Sequence, residues 1–562
     1  MSELRTQLVW NRLLAIVEEQ AQTLMRTAFS TVVREAGDLS AGVFNTHGDM
    51  LAQAVTGTPG HVNAMAASVG KFLKRHPVET LRPGDVLLTN DPWDGTGHLN
   101  DFTAVTPVFL ADACVGLFAS TSHIADVGGR GFGPDANDLF EEGLRIPITF
   151  LFREGVRDET LMMLVAANVR DPVVAEGDLY SLTACNDTGA RQLVELMDDF
   201  GLADLEEVGR EILEKSRRAM MAEIRNLPPG EYRHTMRIDG YDRPVDLACT
   251  LTVSGSGIDI DWTGTSPVSA AGINVPLPYT EAYASFGVRC VVGNDVPNNA
   301  GSLDTIRVTA PRGCILNAEP PRAVSARHAV GQMLPDVVLG CLAQVVSDRV
   351  PAEGASCIWN PVFLNAPSED GGNAPELQFV TNPIYNGGTG ARPGKDGLST
   401  TAFPSGVRTT STEVNEATAP LLIWRKEYRQ DSAGPGEHRG GLGQTVEVAH
   451  ARGESFVISK MFDRIRHPAR GRNGGGDGEP GRVYVKGGDD FRGKGRDVVP
   501  PGATLVMETP GGAGMGRVAE RDPDRIAADV EAGLVSPDAA RDRYGLDAGV
   551  RQNDDEGGAA DV

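Results

Sequence analysis

Residues Leu87 to Gly129 constrain this chain more than any other stretch. They read LLTNDPWDGTGHLNDFTAVTPVFLADACVGLFASTSHIADVGG. Two apolar, β-branched runs, Thr103 to Leu110 and Val115 to Thr121, predict consecutive strands. The loop NDPWDGTG precedes the first and ends in His98-Leu99-Asn100-Asp101; His123-Ile124-Ala125-Asp126 closes the second. The same H-x-x-D pattern thus stands at two strand ends, each beside glycines. If the strands are neighbours, two imidazoles and up to two carboxylates converge.

Imidazole plus carboxylate is a ligand set for zinc, manganese or iron(II), and two His with one carboxylate leave positions open for water and substrate. His98 and Asp101 are three residues apart, an odd offset that places side chains on opposite faces of a straight strand. Convergence therefore needs a bend, which Asp94-Gly95-Thr96-Gly97 supplies. The competing reading is a pair of buried, hydrogen-bonded histidines, and the residues alone leave both open.

The 562 residues carry a net charge of −24, which excludes nucleic acid and anionic membrane surfaces as expected partners. Seven dispersed cysteines without a C-x-x-C pair argue against a disulfide framework or zinc ribbon and fit a reducing compartment. Charged residues break every apolar run at the N-terminus, so neither a signal peptide nor a membrane span is expected. A cytoplasmic location follows.

Taken in order, residues 5 to 28 have helical apolar spacing; EAGDLSAGVFNTHGDMLAQAV reads as loop, strand, turn and strand; a second helix follows His61. Asp38, among small residues before an apolar run, reads as a helix or turn cap. Asp178 to Leu227 is strongly helical, and Tyr232 to Trp262 alternates as a hairpin turning at Ser254 to Gly257. Helices are predicted from Tyr279 and over Ala329 to Val346, with Arg327-His328 as a surface pair at the start of the latter. Beyond residue 350 the chain is β- and turn-rich, with helices over Arg521 to Tyr544 and an acidic tail expected to be disordered. The composition shifts predict domains at 1–228 (carrying the candidate site), 229–350, 351–520 and 521–562.

Four glycine clusters, GGTGARPGKDG, GPGEHRGGLGQ, RGRNGGGDGEPG and TPGGAGMG, raise the question of a phosphate loop. Gly394-Lys395 is followed by Asp396 rather than Ser or Thr, and Gly476 to Gly481 has Pro480 before its last glycine and opens no helix. Both fail, so the clusters are read as tight turns. No G-x-S-x-G elbow is present.

The segments NDPWDGTGHLNDFTAVTPVF, SHIADVGG, EEGLRIP, NVRDPVVAEGDLYSL, DVPNNAGSL, GGTGARPGKDG, DSAGPGEHRGGLG, TPGGAGMG and RDPDRIAADVEAGLVSPDAARDRYG resemble the hydantoinase B/oxoprolinase family, in the family's order and over nearly the whole chain. The resemblance implies a mixed α+β multidomain fold of helices with antiparallel and mixed sheets. It implies an enzyme component that holds a divalent metal (manganese, zinc or iron) through His98, Asp101 and His123. That component works beside a hydantoinase A-type partner, which takes ATP and phosphorylates the substrate's carbonyl oxygen. Asp38 becomes a fourth ligand or proton handler, and Asp126 a residue orienting an imidazole and a candidate proton acceptor. The implied activity is ATP-dependent hydrolysis of a hydantoin, lactam or 5-oxoproline-like ring, in a hetero-oligomer. The alternatives are a component of an ATP-dependent ketone carboxylase and a non-catalytic scaffold. The family usually has Gly-Gly-Thr before the first ligand histidine, where this chain has Gly95-Thr96-Gly97, which bears on loop shape and substrate fit.

Overall fold

The structure is a computed structural model and describes residues 3–55, 58–366 and 379–546. The acidic tail from residue 547 onward lies outside the described residues.

The first part of the chain is a seven-stranded sheet of β1 (Leu39–Phe44), β2 (Met50–Gln53), β3 (Val86–Thr89), β4 (Asp101–Leu110), β5 (Ala113–His123), β6 (Thr149–Arg153) and β7 (Val156–Arg157). Its order is β2-β1-β5-β4-β3-β6-β7 and every pairing is antiparallel. Side chains alternate between faces along a strand. Phe102, Ala104 and Phe118 therefore enter one core with Leu13 and Val17 of helix Glu3–Thr27 and Leu182 and Leu193 of helix Pro172–Asp199. Val105, Leu117 and Ala119 enter the other with Met65, Val69 and Phe72 of helix Pro59–Arg75. Helices cover both faces, which is why β4 and β5 read as apolar runs rather than as polar–apolar alternation.

A second sheet holds β8 (Gly230–Ile238), β9 (Val245–Ser254), β10 (Gly257–Asp261) and β11 (Ile306–Thr309). The predicted hairpin is β9–β10, with Ser254 paired to Gly257; β11 joins β10 in parallel. Two more four-stranded antiparallel sheets follow, one of Leu421–Tyr428, Gln444–His450, Arg482–Val485 and Thr504–Glu508, the other of Val362–Asn365, Val380–Thr381, Phe456–Met461 and Lys494–Val499. One apolar core joins Met220 and Ile224 with Trp262, Val337, Trp359 and Met507, continuous on both sides of residues 228 and 350. The architecture is mixed α+β with several sheets, as the family resemblance implied.

Two expectations are corrected. The helix expected over Ala329 to Val346 is two short helices, His328–Gly331 and Leu334–Leu342. Pro335 has no N–H to donate to the Gly331 carbonyl, so the helix restarts there. The glycine clusters are not chiefly turns: within them only Gly394, Gly474 and Gly516 have positive φ. Most of the others pack backbone against backbone. Gly441 N donates to Thr389 O at 2.8 Å, Gly512 N to Gly441 O at 2.9 Å, Gly434 N to Gly512 O at 2.8 Å and Gly514 N to Gly476 O at 2.9 Å. A Cβ on Gly512 would lie 1.9 Å from Thr389 O, and one on Gly388 1.8 Å from Gly441 O. Glycine is required by the close approach of neighbouring segments, not by turn geometry.

Candidate metal centre

The ends of three neighbouring strands build the site. Asp101 opens β4 and lies opposite His123, which closes β5. Asp38 immediately precedes β1, and its carbonyl accepts the His123 N–H at 3.2 Å. His98 comes from the loop before β4, bent at Gly97, whose φ is +103°. A Cβ there would lie 2.6 Å from Arg327 Nε, so the loop closes on the arginine only with glycine at this position.

His98, Asp101 and His123 offer ligand atoms all within 4.8 Å of one another, and all three residues are buried. Asp101 Oδ1 lies 2.6 Å from His98 Nε2 and 3.2 Å from His123 Nδ1. His98 Nδ1 donates to Ser325 O at 3.0 Å, which leaves Nε2 as the lone-pair nitrogen facing the cluster. Burial, followed by the charge of Arg327, lowers the His98 pKa to about 3, so the ring is the neutral form that ligates a cation. His123 Nε2 is buried without a partner. A carboxylate oxygen between two imidazoles and an orphaned buried ring nitrogen fit a divalent cation, and buried polar groups without partners call for one.

Three partners missed in the sequence reading converge on Asp101 Oδ2: His61 Nε2 at 2.9 Å, Thr96 Oγ1 at 2.9 Å and Arg327 Nη2 at 2.5 Å. Burial opposes the charged form of Asp101, but His61, His98 and Arg327 outweigh it and hold its pKa well below the carboxylate range. His61 bridges the carboxylates, its Nδ1 facing Asp38 Oδ1 at 3.4 Å. Burial resists its charged form, yet the charges of Asp101 and Asp38 and the Asp101 hydrogen bond raise its pKa. Asp38 also accepts from Thr58 Oγ1 at 3.3 Å and stands next to the compact trio rather than in it. Thr96, the residue at which this loop departs from the usual family order, thus puts its hydroxyl on Asp101.

Arg327 and His328, expected on the surface, are 2% and 4% exposed. Arg327 lies over the Tyr279 ring at 4.0 Å and donates to Thr96 O, and His328 Nε2 meets Asn360 Oδ1 at 3.1 Å. Their helix enters from the second half of the chain and closes the site, which turns both side chains inward. Asp126, expected to orient an imidazole, is engaged elsewhere: it accepts from Gly128 N at 3.1 Å and pairs with Arg170 at 2.5 Å. The Ser325 carbonyl orients His98 instead.

Ser325 is itself held by Glu142, from the segment EEGLRIP, whose Oε1 accepts from Val324 N and Ser325 N, both at 2.7 Å. Burial raises the Glu142 pKa to about 8 in spite of those two donors. An unfolded chain ionises this carboxyl near 4.5, so stability falls as pH rises from there to about 8 and is level beyond. The neutral isostere Glu142→Gln is expected to lack that fall, with Tm ~1–3 °C above the parent at pH 8 and no gain at pH 4.5 by scanning calorimetry. Equal melting at both pH values would show that Glu142 is ionised in the fold.

A cleft of about 30 Å³ opens beside the cluster. One wall carries Val32, Asp38, His61, His98, His123 and Phe132; the other comes from residues 327 to 407. Among the described residues, no helix is long and apolar enough to cross a membrane.

Fold and site together define a multi-sheet α+β protein with a buried His–Asp–His centre at the end of an antiparallel sheet. The chain belongs to the hydantoinase B/oxoprolinase family, whose profile matches residues 2–518. It is similar to the B-type component of a putative D-/L-hydantoinase of Pseudomonas sp. (strain NS671), 28% identical over 96% of this chain and 94% of that protein. It is 30% identical to 5-oxoprolinase 1 of Arabidopsis thaliana over 90% of this chain, which spans 41% of the plant protein. The crystal structure of the ATP-dependent caprolactamase from Pseudomonas jessenii superimposes with a TM-score of 0.86 at 25% identity, covering 97% of this chain and 96% of that one.

Proposed function

We propose that this chain is the metal-holding B-type component of an ATP-dependent cyclic-amide hydrolase, acting on a hydantoin, lactam or 5-oxoproline-like ring. The observation that carries the reading is the buried His98–Asp101–His123 cluster beside a cleft. Relatives named as hydantoinase, 5-oxoprolinase and ATP-dependent caprolactamase support it. ATP is taken by a hydantoinase A-type partner, which phosphorylates the ring amide's carbonyl oxygen and so creates a good leaving group. ATP as co-substrate places the pair in the cytoplasm.

His98, Asp101 and His123 hold a divalent ion (manganese, zinc or iron), with Asp38 as a fourth ligand or proton acceptor. When bound, such an ion supplies Lewis acidity, which acidifies water and polarises an acyl group. The protein's own side chains do the rest. Ser325 O fixes the His98 tautomer, Arg327 and Thr96 hold Asp101, and the Asp38–His61–Asp101 chain accepts and carries the proton that water releases. Asp126, bound to Arg170, has no part in this scheme.

Reconstitution with the ATP-binding partner tests the reading. ATP hydrolysis is expected to be coupled to ring opening of hydantoin, 2-pyrrolidinone or 5-oxoproline, independent of bicarbonate. ATP turnover that requires bicarbonate and a ketone would move the protein to the carboxylases.

A further inference from the structure

Residues 139–146 are tied by hydrogen bonds to three stretches of chain that carry or aim the metal ligands. Asn90 Oδ1 accepts the Ile146 N–H at 2.6 Å, and Asn90 Nδ2 donates to Leu144 O and to Leu99 O, both at 2.8 Å. The segment is thereby joined to the residue after His98. Leu144 N donates to Val127 O at 2.8 Å and Arg130 N to Glu141 O at 2.9 Å, on the stretch that follows His123. The third tie crosses to the second half of the chain, and Glu142 makes it through Val324 N and Ser325 N.

Val324 and Ser325 lie outside any helix or strand, so their N–H groups have no ladder partner and depend on this one carboxyl. Glu142, Val324 and Ser325 are all buried, and bulk water does not reach the acceptor's place. What hangs on the acceptor is the line of the Ser325 carbonyl, which takes the His98 Nδ1–H at 3.0 Å and leaves Nε2 facing Asp101. Two residues further on, Arg327 holds Asp101 Oδ2. Gly272 closes on the same carboxyl: a Cβ there would lie 3.1 Å from Glu142 Oε1, and Gly272 O accepts the Ala326 N–H at 2.8 Å. The backbone that aims at His98 and Asp101 is thus set from Glu142 rather than by a regular element of its own.

We propose that Glu142 is a positioning residue for the metal centre: by holding the Val324 and Ser325 N–H groups it aims the Ser325 carbonyl at His98 and keeps the ring's ligating nitrogen on the cluster. The inference rests on the ligand assignment His98–Asp101–His123 and goes beyond it, since Glu142 is hydrogen-bonded to none of the three. Cobalt(II) is the probe, its affinity for the full chain read by chelator competition and its coordination by visible absorption at pH 7. Glu142→Leu, of similar volume but with no acceptor, is expected to bind cobalt ~10-fold or more weakly with an altered spectrum. Glu142→Asp, one methylene shorter, should do the same and serves if the leucine variant does not fold. Glu142→Gln keeps an oxygen for both N–H groups and matches a carboxyl that burial, raising its pKa to about 8, keeps protonated at pH 7. It is expected to restore the parent's affinity and spectrum. Leu505→Ala, in the core of a distant sheet, should lower Tm and leave cobalt binding unchanged. Parent-like binding by Glu142→Leu or Glu142→Asp, or weakened binding by Glu142→Gln, would overturn the positioning role and leave the ligand assignment standing. A parent chain that binds no cobalt would overturn both.

Discussion

The His98→Ala/His123→Ala variant is expected to purify folded and without a divalent metal. Mass spectrometry of the wild-type chain should find about one manganese, zinc or iron per chain, and ~10-fold less or none in the variant. The fold survives because Asp101 keeps Thr96, His61 and Arg327 on Oδ2 when both imidazoles are gone. The two rings lie 5.2 Å apart and both pack edge-on against Phe132, so their loss opens a cavity that lowers Tm without exposing an unpaired charge. Activity with the ATP-binding partner should fall at least ~100-fold, since the Lewis acid is lost with its ligands. Wild-type protein without metal even after reloading, or a variant that retains it, would remove the ligand assignment and favour the scaffold alternative.

The second large effect lies in the glycine-rich segments. Gly512→Ala is expected to abolish soluble expression or reduce Tm by more than ~10 °C. The added Cβ would lie 1.9 Å from Thr389 O and 2.8 Å from Gly390 N, backbone atoms that cannot rotate away. Gly441→Ala meets Leu398 O at 2.0 Å and should behave alike. Gly70→Ala is the control: Gly70 lies inside helix Pro59–Arg75 with nothing within 4 Å of its Cβ, and alanine there should be neutral or stabilise by up to ~1 kcal/mol. Thermal melts of the three variants separate the cases. Normal folding of Gly512→Ala would mean that the segments are not in backbone contact.

The candidate site was legible where its residues are local to two paired strands. The doubled H-x-x-D pattern placed His98, Asp101 and His123, because a short hairpin fixes its own register and Asp101 falls opposite His123. His61 and Arg327 were illegible because they reach Asp101 from separate helices, and no sequence period encodes such a meeting. A signal did exist for Arg327: it is a lone cation in the apolar run Ala323 to Leu334, where a buried partner was the better reading. The spacing of Asp126 copies that of Asp101, but Arg170, 44 residues further on, holds its carboxylate. The glycines misled for a different reason. Tight turns and close-packed segments demand the same residue, and only the sign of φ distinguishes them.

The glycine bundle also sets how this molecule responds to temperature. Its interior is peptide groups, Gly388, Gly441, Gly512 and Gly514 among them, joined by N–H···O bonds. Exposing apolar surface raises the heat capacity of unfolding and exposing polar surface lowers it. A core of bare backbone therefore contributes little to that heat capacity, or reduces it. The sheets around it, filled with leucine, valine and phenylalanine, lose cohesion on cooling as the hydrophobic effect weakens. The bundle, whose apolar part is the small cluster of Ala352, Ala391, Ala469, Ala513 and Met515, depends less on that effect, so its segments should exchange their amide hydrogens more slowly than those sheets as the protein approaches 0 °C.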